Sequence, residues 1–132
     1  MRAAIASNVN RHRQTSYQPA QTIVTCGTKH ALFNVFQALC QPGDEVILLS
    51  PYWVSFPALV HLAGAKPVVV ETHEQDHFLP DPSAVRAALS DATKAIIINS
   101  PSNPTGAIID ETRLAAIAAR NSGIPGTGVY VV

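Results

Sequence analysis

Charge is scarce in this chain of 132 residues. Asp, Glu, Lys and Arg together make up 14%, and nine bases balance nine acids. With zero net charge and no basic stripe, nucleic-acid binding has no electrostatic footing. Long apolar runs are missing as well. None approaches the roughly 18 residues that cross a bilayer. The opening stretch Met1-Arg2-Ala3-Ala4-Ile5-Ala6-Ser7-Asn8-Val9 is too broken by polar residues for the apolar core of a secretory signal. A cytoplasmic location without membrane contact is the default expectation. The two cysteines, Cys26 and Cys40, form no C-x-x-C pair and are expected to be small buried thiols. His73 and His77 stand four apart, but in a polar stretch ahead of Pro80 that reads as a solvated loop, so no metal site is expected. No internal repeat, low-complexity tract, Ser/His/Asp set or Cys/His set stands out.

What remains is apolar residues, 47% of the chain, and their spacing. Residues 1–13 form a weak helix candidate, and residues 14–21 a loop. Residues 22–25, 45–49, 66–70, 93–98 and 129–132 read as strands. Between them, Ala31, Leu32, Val35, Phe36 and Leu39 recur at helical spacing after Gly27. Residues 54–63 read as a helix with Pro57 in its first turn. A short helix is expected after Ser83 as N-cap, and another over residues 110–120 with Leu114, Ile117 and Ala118 inward. Residues 121–128 form a glycine-rich turn. Alternating strands and helices predict an α/β fold of three layers, a mostly parallel sheet with helices on both faces. The sheet stops at its last strand, so the chain is expected to be an excerpt of a larger protein, poorly soluble or marginally folded alone.

Three strand-to-helix loops carry the chemistry, since ligands of open α/β sheets bind at the carboxyl ends of strands. The first is Cys26-Gly27-Thr28-Lys29. Gly27 either simply permits a tight turn or opens a helix whose free amides attract an anion; the glycine spacing fits neither a Walker loop nor a dinucleotide fingerprint. Lys29, on its own, reads as a solvated first-turn lysine, slightly disfavoured by the helix dipole. The second loop, Ser50-Pro51-Tyr52-Trp53-Val54-Ser55, holds the single tryptophan, which either packs in a core or lays a flat face on a flat ligand. The third, Asn99-Ser100-Pro101-Ser102-Asn103-Pro104-Thr105-Gly106, holds Asn103 between prolines, as a turn residue or as an amide aimed at a ligand. X-Pro bonds here and at Pro51 are places where cis peptides occur.

Taken together, these loops resemble the class I, fold type I pyridoxal-phosphate aminotransferases, with the nearest likeness to the bacterial aspartate aminotransferase branch. Pro42-Gly43-Asp44-Glu45-Val46, Leu62-Ala63-Gly64-Ala65 and Thr93-Lys94-Ala95 resemble that branch too. The likeness runs from about residue 5 to Gly106 and more weakly to the end. It implies residues 1–132 are part of the large, cofactor-binding domain, without the small domain. It implies that Gly27 and Thr28 hold the phosphate of pyridoxal 5′-phosphate, Trp53 stacks on its ring, and Asn103 hydrogen-bonds its phenolic oxygen and lies near the substrate carboxylate. Lys29 would help hold the distal carboxylate of an acidic substrate. The family often has a second glycine where this chain has Thr28, a change that leaves the backbone amide in place.

The resemblance further implies an amino acid and a 2-oxo acid as substrates, an active site at a dimer interface and hence a homodimer for the full-length form, with neither nucleic acid nor membrane as partner. The family's Schiff-base lysine and the acid on its pyridine nitrogen match no residue here; the lysines are Lys29, Lys66 and Lys94. No catalytic residue is therefore expected within the chain, and the isolated chain is expected not to transaminate. The rival reading is a non-catalytic binding or docking module derived from an aminotransferase.

Overall fold

Alternation decides which way each strand faces. In this computed structural model, which describes residues 1–118 and 130–131, four strands form one parallel sheet. They are β1 (Glu45–Ser50), β2 (Lys66–Glu71), β3 (Thr93–Ile97) and β4 (Tyr130–Val131), in the spatial order β2-β1-β3-β4. Glu45 lies opposite Lys66 and Ser50 opposite Glu71; Ile47 lies opposite Ile96, and Ala95 opposite Tyr130.

Val46, Leu48, Ala95 and Ile97 turn to one side of the sheet. There they meet Phe36 of α2 (Thr28–Leu39) and Phe56, Leu59 and Val60 of α3 (Ser55–Leu62). Ile47, Val70 and Ile96 turn the other way, onto Val85 of α4 (Pro82–Ala87) and Ile117 of α5 (Glu111–Ala118). Val46, Ile47, Leu48 and Ile96 are wholly buried. Each such side chain contributes about 1.5–3 kcal/mol through burial. The three-layer α/β arrangement expected from the sequence is present.

The chain divides into two compact units, Met1–Ala31 and Leu32–Val132. In the first, α1 (Arg2–Arg13) has one buried residue, Ala6. Arg11, His12 and Arg13 fill its last turn, where cations suit the helix dipole. Asn10 organises the following turn: its Oδ1 accepts from the Thr15 hydroxyl and the Tyr17 N–H, both at 2.8 Å, and its Nδ2 donates to the Tyr17 carbonyl at 2.9 Å. A 3-10 turn, Pro19–Gln21, follows.

The sequence reading fails at several places. Residues 22–25 form no strand: among the described residues they join no ladder, and Ile23 is 82% exposed. β-branched residues supply the extended conformation, but a strand also needs a partner. Cys26, at the bend that follows, is exposed, not buried. Cys40 is half-buried, and that burial pushes its thiol pKa up. The N-cap of α4 is Asp81, not Ser83. Pro82 takes the first helical position, where a missing N–H costs nothing, so the cap falls two residues earlier than expected. Ala118 is exposed, one step of about 100° beyond the buried Ile117. The expected turn at 121–128 and the helix end at 119–120 lie outside the described residues.

Candidate functional site

Gly27 begins α2 with φ +82°, a left-handed conformation that favours glycine. Its carbonyl accepts the first helical bond, from the Ala31 N–H at 3.2 Å. The Thr25 hydroxyl donates to the same carbonyl at 3.0 Å, and the Gly27 N–H donates to the Thr25 carbonyl at 2.9 Å. The Cys26 N–H donates to His30 Nδ1 at 3.2 Å. A Cβ at position 27 would meet nothing within 4 Å, so the backbone angle alone calls for glycine. Thr28 and Lys29 are the first helical residues, both exposed, at the positive end of the α2 dipole.

In the second unit, the loops after β1 and β3 share the carboxyl edge of the sheet. Ser50–Pro51, Ser100–Pro101 and Asn103–Pro104 are cis peptides. The Ser50 carbonyl accepts both the Thr72 N–H at 2.9 Å and the Thr72 hydroxyl at 2.5 Å, which ties the end of β1 to the segment after β2. Trp53 is half-buried against the core, its ring edge-on to Phe56 with centroids 5.6 Å apart and planes at 90°. Asn103 is exposed, and among the described residues its side-chain amide makes no hydrogen bond. The Asn103 loop bonds to itself: Ser102 N–H to the Ala107 carbonyl and Gly106 N–H to the Ser102 carbonyl, both 2.8 Å, and Ile109 N–H to Ser100 Oγ at 3.0 Å.

Asn103 and Tyr52 line one crevice with Thr72, Phe78, Asn99 and Thr105; Trp53 is not on its wall. Sequence reading missed Thr72 and Phe78, and placed Asn99 in the third loop without giving it a role. Residues 71–82 read as a solvated loop with nothing pointing to this crevice, and only the parallel pairing of β1 with β2 brings them beside the Asn103 loop. The crevice, about 20 Å³, has room for a water molecule. Lys66 and Lys94 stand at the amino-terminal ends of β2 and β3, the opposite edge from Asn103. Among the described residues no group of three His, Cys, Asp or Glu side chains is placed to hold a metal ion. No helix among them is long and apolar enough to cross a membrane.

A family model described as aminotransferase class I and II matches residues 1–125. The chain belongs to that family. It is 52% identical over 118 residues to the aspartate/prephenate aminotransferase of Thermus thermophilus, covering 89% of this chain and 31% of that protein. It is 47% identical over 117 residues to the aspartate aminotransferase of Bacillus subtilis, covering 89% of this chain and 30% of that protein. A solved structure of a Thermus thermophilus aspartate aminotransferase mutant superposes with TM-score 0.92 at 46% identity, over 98% of this chain and 34% of that one. An aspartate aminotransferase from Thermotoga maritima gives 0.93 at 38% identity, over 98% of this chain and 34% of that one. The chain thus spans about a third of the length of these aminotransferases.

Class I and II aminotransferases use pyridoxal phosphate and act on amino acids and 2-oxo acids. The residues present suit parts of that cofactor, each taken separately. A helix opening with a left-handed glycine suits a phosphate. An exposed amide with both hydrogen-bonding ends unused among the described residues suits an oxyanion.

Proposed function

We propose that residues 1–132 are part of the large domain of an aspartate-type aminotransferase. The domain would supply Gly27 and Thr28 to the cofactor phosphate, Trp53 to its ring and Asn103 to its phenolic oxygen. Lys29 would take the distal carboxylate of an acidic amino acid. The longer protein would move an amino group between aspartate and a 2-oxo acid, as a cytoplasmic homodimer. Bound pyridoxal phosphate would supply the electron sink for that chemistry. This chain's residues would bind and orient: the α2 amides fix the phosphate, and Asn103 donates from Nδ2 to an anionic oxygen. The general acid–base lysine would be none of these residues: Lys66 and Lys94 occupy the far edge of the sheet, and Lys29 is given to the substrate carboxylate.

The observation that carries the reading is Asn103, exposed and unbonded among the described residues, on a loop at the carboxyl edge of a parallel sheet. The likeness to proteins named for aspartate supports the substrate class.

Two measurements test it. The 132-residue chain, given pyridoxal phosphate, aspartate and 2-oxoglutarate, is expected to give no turnover. A chimera carrying residues 1–118 in place of the matching segment of the Thermus thermophilus enzyme is expected to transaminate aspartate. In it, Lys29→Ala raises KM for aspartate about tenfold or more while kcat changes less, the signature of lost ground-state binding. A chimera that folds and binds cofactor yet handles aspartate equally well with and without Lys29 overturns the assignment of Lys29.

A further inference from the structure

The crevice beneath the Asn103 loop contains more unused hydrogen-bonding capacity than its size suggests. Asn99, half-buried at the exit of β3, presents an amide with two donors and an acceptor oxygen, and among the described residues it bonds to nothing. The Ser102 hydroxyl on the same wall is likewise without a partner among those residues. The Thr72 hydroxyl donates its hydrogen bond to the Ser50 carbonyl, and its Oγ1 keeps acceptor lone pairs. Thr105 Oγ1 accepts from the Ala107 N–H at 3.2 Å and keeps its proton. Asn99 is half-buried, so its amide stays within reach of water, and a bridging water serves such a group nearly as well as a direct hydrogen bond. A water needs about 10–15 Å³ and two to four polar partners. The crevice offers about 20 Å³ and that set of donors and acceptors.

The loop itself supplies the second argument. Among the described residues its hydrogen bonds, from Ser100 to Ile109, all close back on the loop, and none reaches β1, β2 or the segment after β2. We propose that the crevice binds one ordered water, held by Asn99, that ties the Asn103 loop to Thr72. Asn99 is then a positioning residue: it touches no ligand and fixes the loop that carries Asn103. The purpose given to that positioning rests on the cofactor role of Asn103; the water does not.

A crystal structure of the 132-residue chain at a resolution that shows solvent tests the site. One water is expected within about 3.2 Å of the Asn99 amide and of at least one polar group among Thr72, Ser102 and Thr105. A dry crevice, or an Asn99 amide bonded directly to protein, overturns the proposal. Asn99→Leu tests the positioning. Amide hydrogen exchange at Ser102 and Gly106 is expected to quicken about tenfold, the loss of one net hydrogen bond, while Ile96 and Ile97 exchange as before. Unchanged exchange in the loop overturns the positioning role. Where Asn99→Leu fails to fold, Asn99→Ser, which keeps a polar anchor, is expected to retain both the water and slow loop exchange; loss of either counts against the proposal. A water found in place alongside an Asn103 with no part in cofactor binding would remove the cofactor reading and leave this one standing.

Discussion

Asn103 and Trp53 differ in how much of the fold depends on them. Trp53 is half-buried, packs on the core and meets Phe56 edge-to-face. Asn103 is exposed and bonds to nothing among the described residues. Trp53→Ala is expected to destabilise the chain by about 1–3 kcal/mol, combining lost burial with an aromatic pair of about 0.5–1.5 kcal/mol. Asn103→Ala is expected to shift stability by no more than about 0.5 kcal/mol. Urea unfolding of both variants measures the contrast. A costly Asn103→Ala would show that its amide serves the fold, which is the plain turn reading of an Asn before proline. Sequence placed both residues correctly on loops at strand ends. It did not show that Tyr52, not Trp53, faces the crevice, because adjacent loop residues follow no period that fixes where each side chain points.

At the scale of elements, apolar periodicity located β1, β2, β3 and all five helices among the described residues. It failed where an element depends on something outside itself. Residues 22–25 have strand-forming side chains and no ladder. The start of α4 turned on which of two cap formers precedes Pro82. Asp81 accepts the Ser83 hydroxyl in a short hydrogen bond and the Ser83 N–H at 2.9 Å; these bonds, hydroxyl first, lower its pKa. A carboxyl depressed in the folded state adds stability above its unfolded pKa, and that stability is lost as pH falls through the folded value. Asp81→Ala is therefore expected to lower Tm at neutral pH. The gap to the parent chain should close as pH drops below the ordinary carboxylate range of about 4. Thermal melts across that range check it. A gap that persists in strong acid would mean that Asp81 acts without its charge.

For the whole molecule, what the sequence made legible was the sheet and its two covering layers, because Ile47 and Ile96 on one face and Val46, Leu48, Ala95 and Ile97 on the other are written as simple alternation. The crevice was not legible, since it arises only where β1, β2 and β3 lie side by side and bring Thr72, Asn99 and Tyr52 together across distant stretches of chain. The surface has its own consequence. Ile23, Val54, Leu62 and Ile108 are 82%, 81%, 66% and 69% exposed, and the formal net charge is zero. Apolar exposure supplies attraction, and the lack of net charge removes the repulsion that keeps domains apart. The chain is expected to self-associate at neutral pH as its concentration rises. Exposed groups carry the effect, so a change that adds charge without touching the core should reverse it. Val54→Glu together with Leu62→Glu is expected to lower the weight-average mass in sedimentation equilibrium and leave far-ultraviolet circular dichroism unchanged. A parent chain that stays monomeric at high concentration would show that these side chains are too scattered to form a sticky patch.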